Sequence, residues 1–219
     1  MTTCEKLLAA AADIWEKYNS HPFVLGLQNG TLDREKFRFY MVQDYLYLKD
    51  YAKNFAIGVA KAKSAESAHL FAKYIAVMDG EMDVHSGYFA EMGITQDEVD
   101  SAKMALDNIS YNSYMLRVAY EEGEAEILAA IMSCAYSYEV IAKNMLKAKP
   151  DCLKDNFYGK WIEGYISQSY SDGNRVLMDA LDKMTENYSE AQINRLCEIF
   201  TICSKYEMSF WDMCWNMQL

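Results

Sequence analysis

The chain has 219 residues, of which 52% are hydrophobic and only two are prolines, and this composition excludes a disordered protein. A chain of this length can bury ~70% of its unfolded surface as one unit, so residues 1–219 are expected to form a single domain. The formal net charge of −11, with no visible basic face, excludes nucleic acid as an expected partner.

Apolar residues recur at helical spacing along the whole chain, and no stretch shows the sustained alternation of a strand. Helix breakers and capping residues set the expected ends, as at Pro22, Gly30 and Asp33. Asp172 and Gly173 are expected to separate two helices near the C-terminus. The sequence predicts helices over 4–19, 23–29, 33–62, 65–91, a shorter one opened by Thr95, then 110–121, 124–147, 155–171, 174–187, and a last one opened by Ser189 that reaches about residue 217. We therefore expect an all-α, single-domain helical bundle.

The sequence also bears on location and on the state of the cysteines. No apolar run reaches the ~18 residues of a membrane span, so no membrane is expected as a partner. The first residues lack the basic region and cleavage pattern of a secretory signal, which makes the cytoplasm the expected compartment. The six cysteines form no C-x-x-C pair and no cluster with histidine. We expect them to be reduced thiols, most of them buried.

Asp44 lies within a stripe of tyrosines. Tyr40, Tyr47 and Tyr51 share its helix face, because positions three and four apart stack along a helix. A carboxylate in such a stripe is costly to bury without a hydrogen bond. A structural interpretation satisfies it with a tyrosine hydroxyl or a backbone amide. A functional interpretation makes it a ligand anchor that pairs with adjacent N–H groups, as on an aminopyrimidine, and both stand at this point.

Cys134 is the candidate nucleophile. A thiol becomes reactive when its thiolate is stabilised or a base is near, and no neighbour in the sequence supplies a cation. The base or acid must therefore come from another helix. Tyr138 lies one turn further on and shares the face of Cys134. A lone cysteine is more often a core residue than a catalytic one, so the sequence leaves both interpretations open.

Two other carboxylates lie among aromatic residues. Glu207 precedes Phe210 and Trp211, and burial beside such rings raises the pKa of a carboxyl and suits a general acid. An exposed glutamate on an amphipathic helix is the commoner case. Glu163, between Trp161 and Tyr165, has a similar aromatic setting.

Metal ligands are sparse in the sequence. Glu81 and His85 stand at i and i+4, whereas di-iron bundles use Glu-x-x-His at i and i+3, twice. The remaining histidines, His21 and His69, are scattered. We expect no metal and no haem, and we expect His85 to be a hydrogen-bonded interior or interface residue.

Eight segments, taken together and in order, resemble the TenA (thiaminase II) family along nearly the whole chain. Each segment is a weak signal alone, but eight in the right order and spacing are specific. They are His21-Pro22-Phe23-Val24, Asn29-Gly30-Thr31-Leu32, Phe37-x-x-Tyr40-x-x-Gln43-Asp44-Tyr45-x-Tyr47-Leu48, Glu81-x-x-x-His85, Tyr111-x-x-Tyr114-Met115, Cys134-x-x-x-Tyr138-Glu139, Trp161-Ile162-x-x-Tyr165 and Tyr206-Glu207-x-x-Phe210-Trp211-Asp212-Met213.

The resemblance implies a haem oxygenase-like fold without haem, no cofactor, and assembly as a homotetramer. The cysteine-containing branch of the family hydrolyses 4-amino-5-aminomethyl-2-methylpyrimidine to the hydroxymethyl compound and ammonia. It also cleaves thiamin to hydroxymethylpyrimidine and the thiazole alcohol. An aminopyrimidine or thiamin is therefore the expected small-molecule partner. A non-catalytic pyrimidine-binding or regulatory protein of the same fold is the alternative.

The resemblance also implies roles for particular residues. Asp44 would bind the exocyclic amino group and the adjacent ring nitrogen, Cys134 would add to the pyrimidine C6, and Glu207 would protonate the ring nitrogen. The residues that would line the pocket are Tyr47, Tyr111, Tyr138 and Tyr165.

The chain departs from many relatives next to Cys134. Met132 and Ser133 stand where an apolar residue and proline are common in relatives. The helix around Cys134 is therefore expected to start at a different point than in those relatives. Ala135 and Tyr136 replace a Tyr-Trp pair that some members of the family have. We expect this replacement to change the shape of the pocket mouth.

Overall fold

The computed structural model describes the backbone of residues 1–219 and the side chains of residues 1–76 and 85–219. The described chain is all-α, as predicted, and contains no strand. Its helices are α1 (Thr3–Tyr18), α2 (Pro22–Asn29), α3 (Arg34–Lys61), α4 (Ala65–Met92), α5 (Gln96–Ser101), α6 (Leu106–Glu121), α7 (Glu124–Ala148), α8 (Gly159–Ile166), α9 (Gln168–Met184) and α10 (Glu190–Asn216).

The predicted caps set most of the helix ends. The side chain of Asp33 accepts the N–H of Glu35 at 2.8 Å and starts α3. Gly30 closes α2 in the left-handed region with φ 72°, a conformation that glycine adopts without steric cost. Ser189 forms a complete capping box with Gln192 at the start of α10. These local signals explain why the long helices begin and end close to the predicted residues.

Three boundaries differ from the prediction by four residues or more, and the first is the start of α8, which lies at Gly159 rather than near residue 155, where Asp155 has a left-handed backbone with φ 51°. The break near the C-terminus lies at Ser167 and not at Asp172–Gly173: Ser167 has an extended backbone (φ −61°, ψ 148°), and its hydroxyl accepts the N–H of Tyr170 to cap α9. Gly173 stays inside that helix, where its carbonyl accepts a hydrogen bond from the hydroxyl of Tyr74.

The third difference is at α6, which begins at Leu106 rather than near residue 110. The side chain of Gln43 accepts the N–H of Ala105 at 2.9 Å, and its backbone carbonyl accepts from the amide of Asn108 at 2.8 Å. These bonds tie the first turn of α6 to α3, a tertiary effect that no local pattern announces.

Helix α7 is the central helix of the bundle. It packs against α10, α6, α3, α8 and α9, and most of its residues are buried. Contrary to the sequence expectation, its 25 residues are long and apolar enough to cross a membrane, but 78% of its most apolar window is buried inside the fold. A core helix has this property, and Cys134 lies near the middle of α7.

Candidate active site

Five helices bring the seven predicted site residues together. They are Asp44 and Tyr47 on α3, Tyr111 on α6, Cys134 and Tyr138 on α7, Tyr165 on α8, and Glu207 on α10. Ring contacts connect the elements: the centroids of Tyr47 and Tyr111 lie 5.2 Å apart, and those of Tyr138 and Tyr165 lie 4.9 Å apart. The aromatic positions thus surround the carboxyl groups and the thiol as one cluster.

Asp44 is buried, with 5% of its surface exposed, and its partner is His85 on α4. The Nε2 atom of His85 lies 2.8 Å from Oδ2 of Asp44, and His85 is itself only 4% exposed. The structural interpretation of the sequence expected a tyrosine hydroxyl or a backbone amide as the partner of Asp44, and that prediction is wrong. The prediction that His85 is a hydrogen-bonded interior residue is confirmed. A carboxylate accepts several hydrogen bonds, so this pairing orients Asp44 and leaves acceptor capacity for a ligand.

His85 is the residue that sequence reasoning left without a role in the site. A signal was present, since a buried aspartate requires a donor and the segment Glu81-x-x-x-His85 was among those of the family resemblance. The side chain of Glu81 lies outside the described residues, so the structure does not test the pair of Glu81 and His85 as metal ligands. Among the described side chains, no three His, Cys, Asp or Glu residues form a group suited to a metal ion.

Glu207 is 1% exposed, so the buried alternative applies and not the commoner exposed one. Burial raises the pKa of its carboxyl to about 8, and the charge of Asp44 adds to the rise. Hydrogen-bonding interactions with Tyr138, Tyr111 and Cys134 oppose the rise without cancelling it. Within the described chain, its Oε1 atom has no hydrogen-bond partner. The side chain is thus a neutral acid near neutral pH, as the prediction from burial required.

Cys134 is half-buried on α7, whereas four of the other five cysteines are buried, and none of the six forms a disulfide. A hydrogen-bonding interaction links Cys134 to Glu207, which lies on another helix, α10. Burial raises the pKa values of Tyr47, Tyr111 and Tyr138, and the charges of both Cys134 and Glu207 raise them further. The thiol and the acid therefore share one set of tyrosines.

The residues beside Cys134 leave its helix intact. Helix α7 runs without interruption from Glu124 through Cys134, so Met132 and Ser133 do not start a new helix there. Tyr136 packs against Trp15, with ring centroids 5.9 Å apart.

Helix α8 supplies only aromatic residues to the cluster. The ring of Trp161 lies 4.7 Å from that of Tyr165 and 5.8 Å from that of Tyr138. Glu163, between them in the sequence, is exposed to solvent and is not part of the site. The aromatic setting of Glu163 in the sequence was misleading, because neighbours at i±2 face different sides of a helix.

Comparisons with known proteins identify the family to which the chain belongs. Residues 8–217 match the family model described as TENA/THI-4/PQQC family. A protein of Helicobacter pylori named aminopyrimidine aminohydrolase is 42% identical over 217 residues, which cover 99% of this chain and 100% of that protein.

Solved structures agree in fold. A TenA homologue from P. horikoshii OT3 has a TM-score of 0.86 and 31% identity, with 99% of each chain covered. A domain with a heme oxygenase-like fold from Shewanella denitrificans OS217 has a TM-score of 0.76, covers 98% of this chain and 92% of that one, and at 16% identity shows the fold alone. The chain therefore has a haem oxygenase-like fold and belongs to the TENA/THI-4/PQQC family.

Proposed function

We propose that this protein is an aminopyrimidine hydrolase of thiamin salvage, which converts 4-amino-5-aminomethyl-2-methylpyrimidine and water to the hydroxymethyl compound and ammonia. The observation that carries the proposal is Glu207, a buried carboxyl with a pKa of about 8 beside the thiol of Cys134. A hydrolase of this kind needs an acid that keeps its proton near neutral pH. The relative named aminopyrimidine aminohydrolase, 42% identical over nearly the whole chain, supports the substrate class.

In this proposal Asp44 recognises the pyrimidine. Its carboxylate accepts hydrogen bonds from the exocyclic amino group and from the adjacent ring nitrogen in its N–H form. His85 holds the carboxylate in place from the other side at 2.8 Å. The rings of Tyr47 and Tyr138 offer flat apolar surfaces for the heterocycle.

Cys134 forms the covalent intermediate. Its sulfur adds to C6 of the pyrimidine while Glu207 gives its proton to the ring nitrogen, so that the ring develops no full negative charge. The thiol proton then restores the acid form of Glu207. The adduct expels the protonated amino group on the exocyclic carbon as ammonia, and water adds to the methylene that remains with release of a proton. Departure of the sulfur, which takes up the proton of the ring N–H as a thiol, restores the aromatic ring. Covalent addition divides a difficult displacement into easier steps.

The same steps apply to thiamin. Its leaving group is the thiazole alcohol instead of ammonia, and we propose thiamin cleavage as a second activity. Steady-state turnover of the two substrates, measured side by side, determines which one the site prefers.

Replacement of the nucleophile tests the covalent mechanism. Cys134→Ala and Cys134→Ser are expected to lower ammonia release at least ~10³-fold while the melting temperature stays close to that of the parent. Cys197→Ala is the matched control, because Cys197 is the other half-buried cysteine and is not in the site. Unchanged turnover in both Cys134 variants would refute the covalent step.

The same proteins discriminate the alternative, a non-catalytic pyrimidine-binding protein. That function predicts thermal stabilisation by aminomethylpyrimidine without product, and a Cys134 that does not react with iodoacetamide. Neither outcome is expected if Cys134 and Glu207 act together.

Homotetramer assembly and a cytoplasmic location follow from the resemblance and the sequence, and both stand here as proposals. Light scattering after size exclusion tests the first, with an expected mass four times that of the chain. Fractionation of the producing cells tests the second.

A further inference from the structure

Ser133, the residue before Cys134, is completely buried and touches Tyr111 of the site. Its Oγ atom lies 2.8 Å from the backbone carbonyl of Ala130 and 3.3 Å from the hydroxyl of Tyr111. The thiol of Cys203 interacts with the same oxygen.

Counting protons gives this contact a direction. A serine hydroxyl has one proton to donate and two lone pairs to accept. A carbonyl oxygen only accepts, so the bond to Ala130 uses the proton of Ser133. In its bond with Tyr111, Ser133 must therefore be the acceptor, and the hydroxyl of Tyr111 must donate.

Tyr111 has a second possible acceptor in Glu207. When the tyrosine donates to the carboxylate, it stabilises the charged form and lowers the pKa of Glu207. A single phenolic proton serves only one of these two bonds fully. Ser133 and Glu207 thus compete for the proton of Tyr111.

We propose that Ser133 is a positioning residue that draws the hydroxyl proton of Tyr111 away from Glu207 and so keeps Glu207 in its acid form. The protons then align from Glu207 to Tyr111, from Tyr111 to Ser133, and from Ser133 to the carbonyl of Ala130. The functional value of the acid form rests on the proposed hydrolase activity, whereas the direction of the hydrogen bonds does not.

Other groups also act on Glu207, and they lie on α1, α3, α6, α7 and α10. Of these groups, Tyr111 and Cys203 interact with the hydroxyl of Ser133, so removing that hydroxyl acts on Glu207 through the proton of Tyr111. The titratable groups that interact with Glu207 are Tyr18 of α1, Asp44 and Tyr47 of α3, Tyr111 of α6, Cys134 and Tyr138 of α7, and Cys203 and Cys214 of α10, while His21 of α2 bonds Asp212.

Carboxyl ¹³C NMR titration of Glu207 in the ligand-free protein tests the proposal, with the signal assigned through Glu207→Gln. Ser133→Ala releases the proton of Tyr111 toward the carboxylate and is expected to lower the pKa of Glu207 by about one unit. Ser133→Thr keeps the hydroxyl and is expected to keep the pKa. Ser137→Ala is the matched control: Ser137 is equally buried on α7, and its hydroxyl bonds the carbonyl of Cys134 at 2.9 Å.

A double variant distinguishes this role of Ser133 from an effect of its side chain on packing. With Tyr111→Phe there is no phenolic proton to redirect, so adding Ser133→Ala is expected to leave the pKa of Glu207 unchanged. A pKa in Ser133→Ala equal to the parent value would overturn the proposal. An equal shift in Ser137→Ala, or a shift that persists with Tyr111→Phe, would overturn it too.

Turnover gives an independent reading. If the parent hydrolyses aminomethylpyrimidine, the alkaline limb of its kcat/KM profile is expected to move to lower pH in Ser133→Ala by the same ~1 unit. If the parent shows no turnover, the proposed function fails, but the titration still decides the role of Ser133.

Discussion

The free energy of unfolding of the parent protein is expected to fall as the pH becomes alkaline. Replacing Glu207 by glutamine is expected to remove most of that fall. The native state holds the proton of Glu207 up to a pKa of about 8, whereas the unfolded chain releases it near 4.5. Because the pKa is raised on folding, the native state binds more protons between these values, and the free energy of unfolding falls as pH rises through that range. Glutamine has the same shape and no proton to lose.

The magnitude follows from the size of the shift. Raising the pKa from 4.5 to about 8 corresponds to about 4–5 kcal/mol at ~1.36 kcal/mol per pKa unit, and most of it is lost between about pH 5 and about pH 9. Near pH 5 the parent and Glu207→Gln should have similar stability. Near pH 9 the variant should be the more stable by several kcal/mol, although glutamine removes the proposed general acid and hence the activity.

Urea unfolding at the two pH values measures this difference, and Glu139→Gln is the matched control. Glu139 is also buried, and burial by itself raises its pKa. Hydrogen bonds from Lys143, Asn174 and Ser171 outweigh burial and lower the pKa. A lowered pKa contributes stability above the unfolded value, so Glu139→Gln should destabilise the protein at neutral and alkaline pH, the opposite sign. Equal alkaline losses in the parent and Glu207→Gln would refute the burial argument.

Two further predictions concern stability alone. A Cβ at Gly58 would lie 2.4 Å from Phe71, so Gly58→Ala should lower the free energy of unfolding by about 1–3 kcal/mol, while Gly87→Ala, with nothing within 4 Å, should raise it by about 0.5–1 kcal/mol. Similar urea midpoints for the two variants would contradict the contact between α3 and α4. His21 caps α2 by accepting the N–H of Phe23 on Nδ1, so His21→Ala should cost about 1 kcal/mol near pH 7.5. Burial lowers the pKa of His21, so its contribution is present above about 6.5 and lost as pH falls. An acid limb of the stability profile that is identical in His21→Ala would contradict this role.

The sequence by itself determined the helices and the candidate residues, because both depend on short-range relations. A cap such as Asp33 or Gly30 acts within a few residues, so it is readable without the fold. The stripe of Tyr40, Asp44 and Tyr47 follows from helix geometry in the same way. The family resemblance then singled out Cys134 and Glu207 from many similar residues.

The tertiary structure decided what these residues can do. Asp44 finds its donor in His85, 41 residues along the chain, and no local pattern fixes that pairing. Glu207 becomes an acid because other helices exclude water from it, whereas Glu163, in an equally aromatic segment, faces solvent. The early start of α6 is likewise settled by a bond between helices, whereas the break at Ser167 rests on a local cap that the sequence analysis missed. Burial and pairing depend on residues far apart in the chain, and only the packed structure specifies them.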